Sequence, residues 1–183
     1  MTTYRDQLLD VVATAEERMG TLHDRHADAS APRGGSVEFI ALGTALILRA
    51  EARAVALADL ALALEVSRQT RTAVPPLGLG LSAADTQATR KAMETLTTRL
   101  TETDNPRARA VRLARGRTTQ TGGKYYDVGM AEHPQVVGWT RGTSPSACEL
   151  CGWLERDGFV FSADTPMYRH PGCTCVPIPT VRS

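Results

Sequence analysis

Aromatic side chains make up only 5% of the 183 residues, too few to fill the thick interior of a large sheet protein, whereas alanine is plentiful. That balance favours closely packed helices. No stretch approaches the roughly 20 consecutive apolar residues of a membrane span, which argues against a membrane partner. The opening Met1-Thr2-Thr3-Tyr4-Arg5-Asp6 has no apolar signal-peptide core. A soluble chain made in a cytoplasm, where thiols stay reduced, is therefore expected. Cysteine is absent before residue 148, and all four cysteines lie between 148 and 175. A disulfide scaffold would spread them more widely and would need export, so metal binding is the better reading. The net charge is +1, which makes the whole molecule neither a polyanion nor a general nucleic-acid binder. The length suits one domain or two small ones.

Residues 4–22 repeat apolar side chains at helical spacing (Leu8, Leu9, Val12, Ala15, Met19, Leu22). His23 to Ser36, with Pro32, Gly34 and Gly35, reads as a linker. Val37 to about Gln69 has no proline and only one glycine, Gly43. Its alanines and leucines predict one helix of about thirty residues, or a closely spaced pair. At ~1.5 Å per residue it would span roughly 45 Å, long enough to suit an elongated protein or one docking along a partner. Residues 74–81, which include Pro75, Pro76, Gly78 and Gly80, break the helix. Ser82 and Asp85 then have the form of a capping box for a helix reaching about Thr103. Asn105-Pro106 stops that helix and starts another, with asparagine as N-cap and proline at the first position.

The new helix is basic. Arg107, Arg109, Arg112, Arg115 and Arg117, with Lys124 beyond them, meet no acidic residue between Asn105 and Tyr126. Such a block could grip the phosphates of double-stranded DNA, or it could be a solvated face, or be paired with acids elsewhere. Residues 116–123, Gly-Arg-Thr-Thr-Gln-Thr-Gly-Gly, suggest a hinge, and Gly122-Gly123-Lys124 reads as a turn. Past that point the composition changes. Val136–Thr140, Gly158–Phe161 and Cys175–Pro179 read as short strands, the last at an edge because of its prolines. The predicted fold is a mainly α N-terminal region, 1–117, containing the long Ala-rich helix, followed by a small α+β C-terminal domain, 118–183.

Cys148-Glu149-Leu150-Cys151 is followed, eighteen residues on, by His170-Pro171-Gly172-Cys173-Thr174-Cys175. Cys-x2-Cys sets two thiolates on one turn, and His-x2-Cys-x-Cys supplies the other half of a tetrahedron. Sulfur with one imidazole suits Zn2+ over magnesium or calcium. Five donors compete for four positions. Cys148, Cys151 and His170 are the firmest candidates, and Cys173 is favoured over Cys175, which would be spare or buried in the strand. Four soft protein ligands leave no open position for water, so a structural zinc is expected, with no catalysis and no small-molecule substrate. A nucleic-acid deaminase would place His-x-Glu upstream of its cysteines, the reverse of this order. His23, His26 and His133 read as surface histidines. A 66-residue C-terminal part is too small for a comfortable apolar core, and a structural zinc can contribute on the order of 10 kcal/mol to its folding. Trp139, Trp153, Phe159, Phe161 and Tyr168 are expected to pack around the metal.

The run Ala131-Glu132-His133-Pro134-Gln135-Val136-Val137-Gly138-Trp139, then Cys-x2-Cys, Gly158-Phe159-Val160-Phe161 and His170-Pro171-Gly172-Cys173-Thr174-Cys175, resembles the C-terminal region of the Mu F-like minor head proteins of tailed bacteriophages, most closely the actinobacterial-phage members. Those often carry Cys-x2-Cys near a tryptophan and end in His-Pro-x-Cys-x-Cys with a proline-rich tail. Ala58-Asp59-Leu60-Ala61-Leu62-Ala63, leading into Val74-Pro75-Pro76-Leu77-Gly78, is similar to the helical half of that group. The resemblance implies a head-morphogenesis or minor capsid component of the virion, assembled in the host cytoplasm on the portal, the major capsid protein or both. It also implies a role near DNA packaging. Only four residues follow Pro179, so the toxin or enzyme domains appended in some members are not expected. The alternative is a nucleic-acid-binding zinc module that meets packaged DNA through helix 107–117.

Overall fold

A computed structural model describes residues 3–28, 37–100, 104–143, 147–170 and 172–182. The chain is mainly helical and carries one small antiparallel sheet near its C-terminal end. Its elements are α1 (Tyr4–Asp28), α2 (Val37–Thr70), α3 (Ala83–Arg99), α4 (Pro106–Glu132), β1 (Val136–Gly142), α5 (Glu149–Glu155), β2 (Phe161–Ser162) and β3 (Val176–Val181). Among the described residues no helix is long and apolar enough to cross a membrane.

The chain forms two compact units. One comprises residues 8–54 and 80–121, the other residues 1–7, 55–79 and 122–183. This differs from the sequence division at 117/118, because the C-terminal unit also takes in the chain start and the second half of α2. The expected hinge at 116–123 is continuous helix within α4, as is the expected turn at Gly122-Gly123-Lys124. Close packing explains a glycine there: a Cβ on Gly123 would lie 2.6 Å from the Arg169 Nε. The expected linker is helical through residue 28, and residues 29–36 lie outside those described.

The first unit packs segments of α1, α2, α3 and α4 around Ala15, Met19, Phe39, Ile47, Ala50, Met93, Leu96, Ala110 and Ala114. Alanines at four of these nine positions leave room for the larger side chains beside them. Gly43 belongs to this logic, since a Cβ there would run into the Met93 side chain. The capping box opens α3 as expected: the Ser82 hydroxyl accepts the Asp85 amide at 3.1 Å, and the Asp85 carboxylate accepts the Ser82 amide at 3.3 Å. The Asn105 side chain accepts the Ala108 amide at 2.9 Å, one turn into α4.

One carboxylate is enclosed in this helical core. Glu51 is fully buried and accepts hydrogen bonds from the Thr89 hydroxyl at 2.7 Å and the Thr121 hydroxyl at 2.8 Å. Arg117 lies 2.9 Å from the Glu51 Oε1 and also donates to the Thr89 hydroxyl at 2.8 Å. A buried charge is tolerated only when paired and hydrogen-bonded.

In the other unit the sheet order is β2-β1-β3, with both pairs antiparallel. β3 is an edge strand and carries Pro177 and Pro179, as the prolines demanded. The expected strand at 158–161 is reduced to Phe161–Ser162, because residues 156–158 form a 3-10 turn. Gly138 sits where β2 crosses closest, and any side chain there would meet the Phe161 carbonyl. The apolar core joins Ala58, Leu62 and Val66 of α2 to Tyr126 and Met130 of α4, Trp139 of β1, and Met167. Much of the apolar surface of the long helix α2 is spent on packing within the chain, at Phe39, Ile47, Ala54, Val55, Leu62 and Val66. Leu60 and Leu64 remain exposed. Tyr4 stacks on Tyr126 with ring centroids 4.8 Å apart and donates to the Gly122 carbonyl at 3.1 Å. The Asp59 carboxylate accepts the amides of Leu77, Gly78 and Leu79 at 2.7–2.9 Å, which fixes the loop after α2.

The Glu51 cluster yields a test. Arg117→Met leaves the carboxylate buried without its counter-charge, and we expect a loss of about 3–5 kcal/mol. Adding Glu51→Gln should recover much of that. Urea unfolding of the single and double variants measures both, and equal losses would contradict this account of the cluster.

Candidate metal centre

Three short segments deliver the donors, and β1 holds all three. Cys148 is the N-cap of α5, and Cys151 follows one turn later, with the Gly152 amide bonded to the Cys148 carbonyl at 3.0 Å. His170 ends a segment tied to β1 at two points. The Trp139 indole donates to the Thr165 carbonyl at 2.8 Å, and Arg141 Nη2 donates to the Tyr168 carbonyl at 2.6 Å. A tight turn follows, in which the Cys173 amide bonds the His170 carbonyl at 3.0 Å and Gly172 takes a φ of 80°. Pro171 lies outside the described residues. Cys175 immediately precedes β3, whose first residue, Val176, pairs with Gly142 of β1.

The five side chains meet. The Cys148 and Cys151 sulfurs each lie 3.2 Å from the His170 Nε2, and the Cys151 and Cys173 sulfurs are 3.6 Å apart. Two donor triads result, Cys148–Cys151–His170 and Cys151–Cys173–Cys175. Within each, all donor atoms lie within 4.8 Å of one another. Cys151 belongs to both. Donors on a tetrahedral ion with ~2.3 Å metal–sulfur bonds would sit roughly 3.5–4 Å apart, so the cluster needs little change to close on a cation. It could hold a metal ion. The sequence favours Cys173 over Cys175 as the fourth donor, with Cys175 spare or buried in the strand. The Cys175 thiol is brought in as well: it is buried, and it lies within 4.8 Å of the Cys151 and Cys173 sulfurs.

The sulfurs differ in environment. Cys148 is exposed, whereas Cys151, Cys173 and Cys175 are buried. The Cys151 amide points at the Cys148 sulfur and, with His170 nearby, holds that thiol below its ordinary pKa. Burial, reinforced by the neighbouring thiols, pushes Cys151 well above it. A cation among these sulfurs would favour the thiolate throughout.

Of the five aromatic residues expected around the donors, only two are packed. Trp139 is buried and stacks on Phe161 at 4.4 Å. Trp153, Phe159 and Tyr168 are exposed at 71%, 50% and 59%. Trp153 follows the inward-facing Cys151 by two helical positions, which carries it to the far face. Met130, Met167, Tyr126 and the thiols fill the core instead. His133 is buried rather than on the surface. Its Nδ1 accepts the Gln135 amide at 3.2 Å, and burial lowers its pKa.

Sequence reasoning missed the supports. Arg141 is buried two residues from Trp139, and the strand's two-residue period could have placed it on the same face. Arg169 pairs with Asp127 of α4 at 2.9 Å, joining the residue before His170 to the helix. That contact left no local signal.

The six basic candidates do not form one surface. At 3.6 residues per turn the five arginines point around α4. Arg107 pairs with Asp24 at 3.0 Å, Arg115 with Glu16 at 3.4 Å, and Arg117 with buried Glu51. Lys124 lies over the Tyr125 ring. Arg109 and Arg112 line a groove against α3.

The chain matches no protein-family model, no curated protein and no solved structure.

We expect protein purified without added metal to carry about one equivalent per chain. A tetrahedral ion takes four of five donors. One of Cys148, His170, Cys173 and Cys175 should therefore be replaceable with little loss of affinity, while Cys151→Ser should be the most damaging thiol change. Metal analysis and cobalt absorption spectra across the five single variants decide this. A folded, metal-free C-terminal unit would refute it.

Proposed function

We propose that this chain is a structural protein of a tailed-phage head, a minor capsid or head-morphogenesis component whose C-terminal unit is held by a structural zinc ion. One observation carries the reading. The sharpest part of the resemblance to Mu F-like minor head proteins, its cysteines, histidine and tryptophan, falls in one site. Trp139 and Phe161 stack beneath it, Cys148 and Cys151 enter from α5, and His170, Cys173 and Cys175 close it. A motif scattered over forty residues by coincidence has no reason to converge. Zinc is preferred over other ions because thiolates and imidazole are its usual donors, and because it forms tetrahedral structural sites without redox chemistry.

In this reading the ion fixes the shape of a module that docks on a larger body, the portal or the major capsid protein. The DNA-contact reading draws less support, since Arg107, Arg115 and Arg117 already answer carboxylates of their own chain.

Purified particles of the parent phage should contain the protein at a low, fixed copy number by quantitative mass spectrometry. The metal bound to the protein should be zinc. Cys151→Ser protein should be incorporated poorly or yield particles defective in a later step. Recovery of the wild-type chain only as a free protein, absent from particles, would overturn the proposal.

A further inference from the structure

Two exposed features, one in each compact unit, have complementary chemistry. The first is the outer face of α5. Leu150 and Trp153, three residues apart on one helical face, are exposed at 43% and 71%, and Phe159 and Val160 follow them at 50% each. Large apolar groups in solvent at this density mark an interaction site rather than ordinary surface. The surrounding charge is acidic: Glu149, Glu155 and Asp157 have no cationic partner among the described residues. The single base in the segment, Arg156, lies over the Phe159 ring at 5.1 Å.

The second feature is a groove of about 730 Å³ between α3 and α4. Its floor is apolar, formed by Ala88, Ala92, Leu96 and Leu113. Lys91, Arg99, Arg109 and Arg112 stand around it, and among the described residues none that lines it is acidic. No carboxylate pairs with Lys91, Arg99 or Arg112 among the described residues. The small side chains of Ala88 and Ala92 leave a trough between the helices, and four cations flank it. Such a surface suits a short helix with large apolar groups on one face and acids beside them. α5 has that description.

We propose that the α5 face of one copy of this chain docks in the α3–α4 groove of a second copy. Trp153 and Leu150 enter the apolar floor, and Glu149, Glu155 and Asp157 meet the four cations. Charge and apolar surface together select the occupant: the four cations attract acids, and the apolar floor favours an acidic helix carrying large apolar groups over a polyanion without them. The two surfaces differ, so the contact is heterologous and propagates head to tail, closing into a ring if the rotation allows. An interface this small belongs to the weak, concentration-dependent class. The proposal does not rest on the capsid reading, because a chain that never enters a particle would still self-associate.

Sedimentation velocity of the full-length, metal-loaded protein over micromolar to near-millimolar concentration tests it. Wild type should grow in mass with concentration, and added salt should reverse the growth. Trp153→Ala should weaken association about thirtyfold, as for an anchoring aromatic residue. The decisive experiment uses two charge-reversed chains, one carrying Lys91→Glu and Arg112→Glu, the other Glu149→Lys and Asp157→Lys. All four positions are exposed, and circular dichroism checks that each chain folds. Alone, each chain should remain monomeric because like charges then face each other. Mixed, they should assemble, since each reversed surface finds its complement. A wild-type monomer at every concentration would overturn the proposal. So would reversed chains that associate alone, a mixture that stays monomeric, or binding of duplex DNA to the groove without self-association.

Discussion

Three cysteines gathered in one buried cluster can ionise only if something positive lies among them. As thiolates they repel, and as thiols they pack like small apolar groups. Cys151 concentrates this constraint. It is buried, it lies 3.2 Å from the His170 imidazole and 3.6 Å from the Cys173 sulfur, and it is common to both donor triads. The surrounding arrangement follows from bringing its partners in. Trp139 and Arg141 on β1 anchor the segment that ends in His170, and β3 pairs with β1 immediately after Cys175. A cation there would convert the repulsion into attraction, and it would do so inside the apolar cluster, to which Cys151, Cys173 and Cys175 belong. Loss of the ion would therefore be felt by Trp139, Met130 and Met167 as well as by the donors.

Where local chemistry decided the structure, it was legible in the sequence. Ser82 with Asp85, and Asn105 before Pro106, announce helix starts because their side chains satisfy amides a few residues away. The edge position of β3 follows from two prolines that cannot complete a ladder. The donor set was legible too, since the spacing of Cys-x2-Cys and His-x2-Cys encodes a turn at each end. Its outcome in space was less so: spacing alone does not show that the Cys175 thiol lies with those of Cys151 and Cys173.

The misreadings share a cause. Glycine costs a helix about 1 kcal/mol relative to alanine, which made residues 116–123 look like a hinge. Packing accounts for Gly123, over which Arg169 passes on its way to Asp127, and further along for Gly129, against which Leu62 lies, whereas Gly116 meets open space. Both neighbours are remote in sequence, so no window could show why a small residue was needed. Trp153 failed in the opposite sense. Composition counted it toward the core, but its helical phase relative to Cys151 turned it outward.

The basic block on α4 shows how a local charge count can mislead about partners. Asp24 answers Arg107 and Glu16 answers Arg115. On α1 the acids are spaced eight residues apart, on α4 the bases are spaced eight apart, and the order is reversed. That is the pattern of two antiparallel helices in register, with ion pairs roughly 12 Å apart along the common axis. Each pair is exposed, and exposed pairs contribute only ~0–1 kcal/mol. Their value lies in choice: a slip of one turn, or a parallel arrangement, would lose both pairs together and bring arginines against one another or against apolar surface. Arg117 extends the same logic inward to Glu51, where the charge is buried and one arrangement satisfies it. Much of the arginine block is thus explained by helix registration. What it leaves over, Arg109 and Arg112, faces α3 with Lys91 and Arg99, and this residue of unbalanced charge gives the groove its sign.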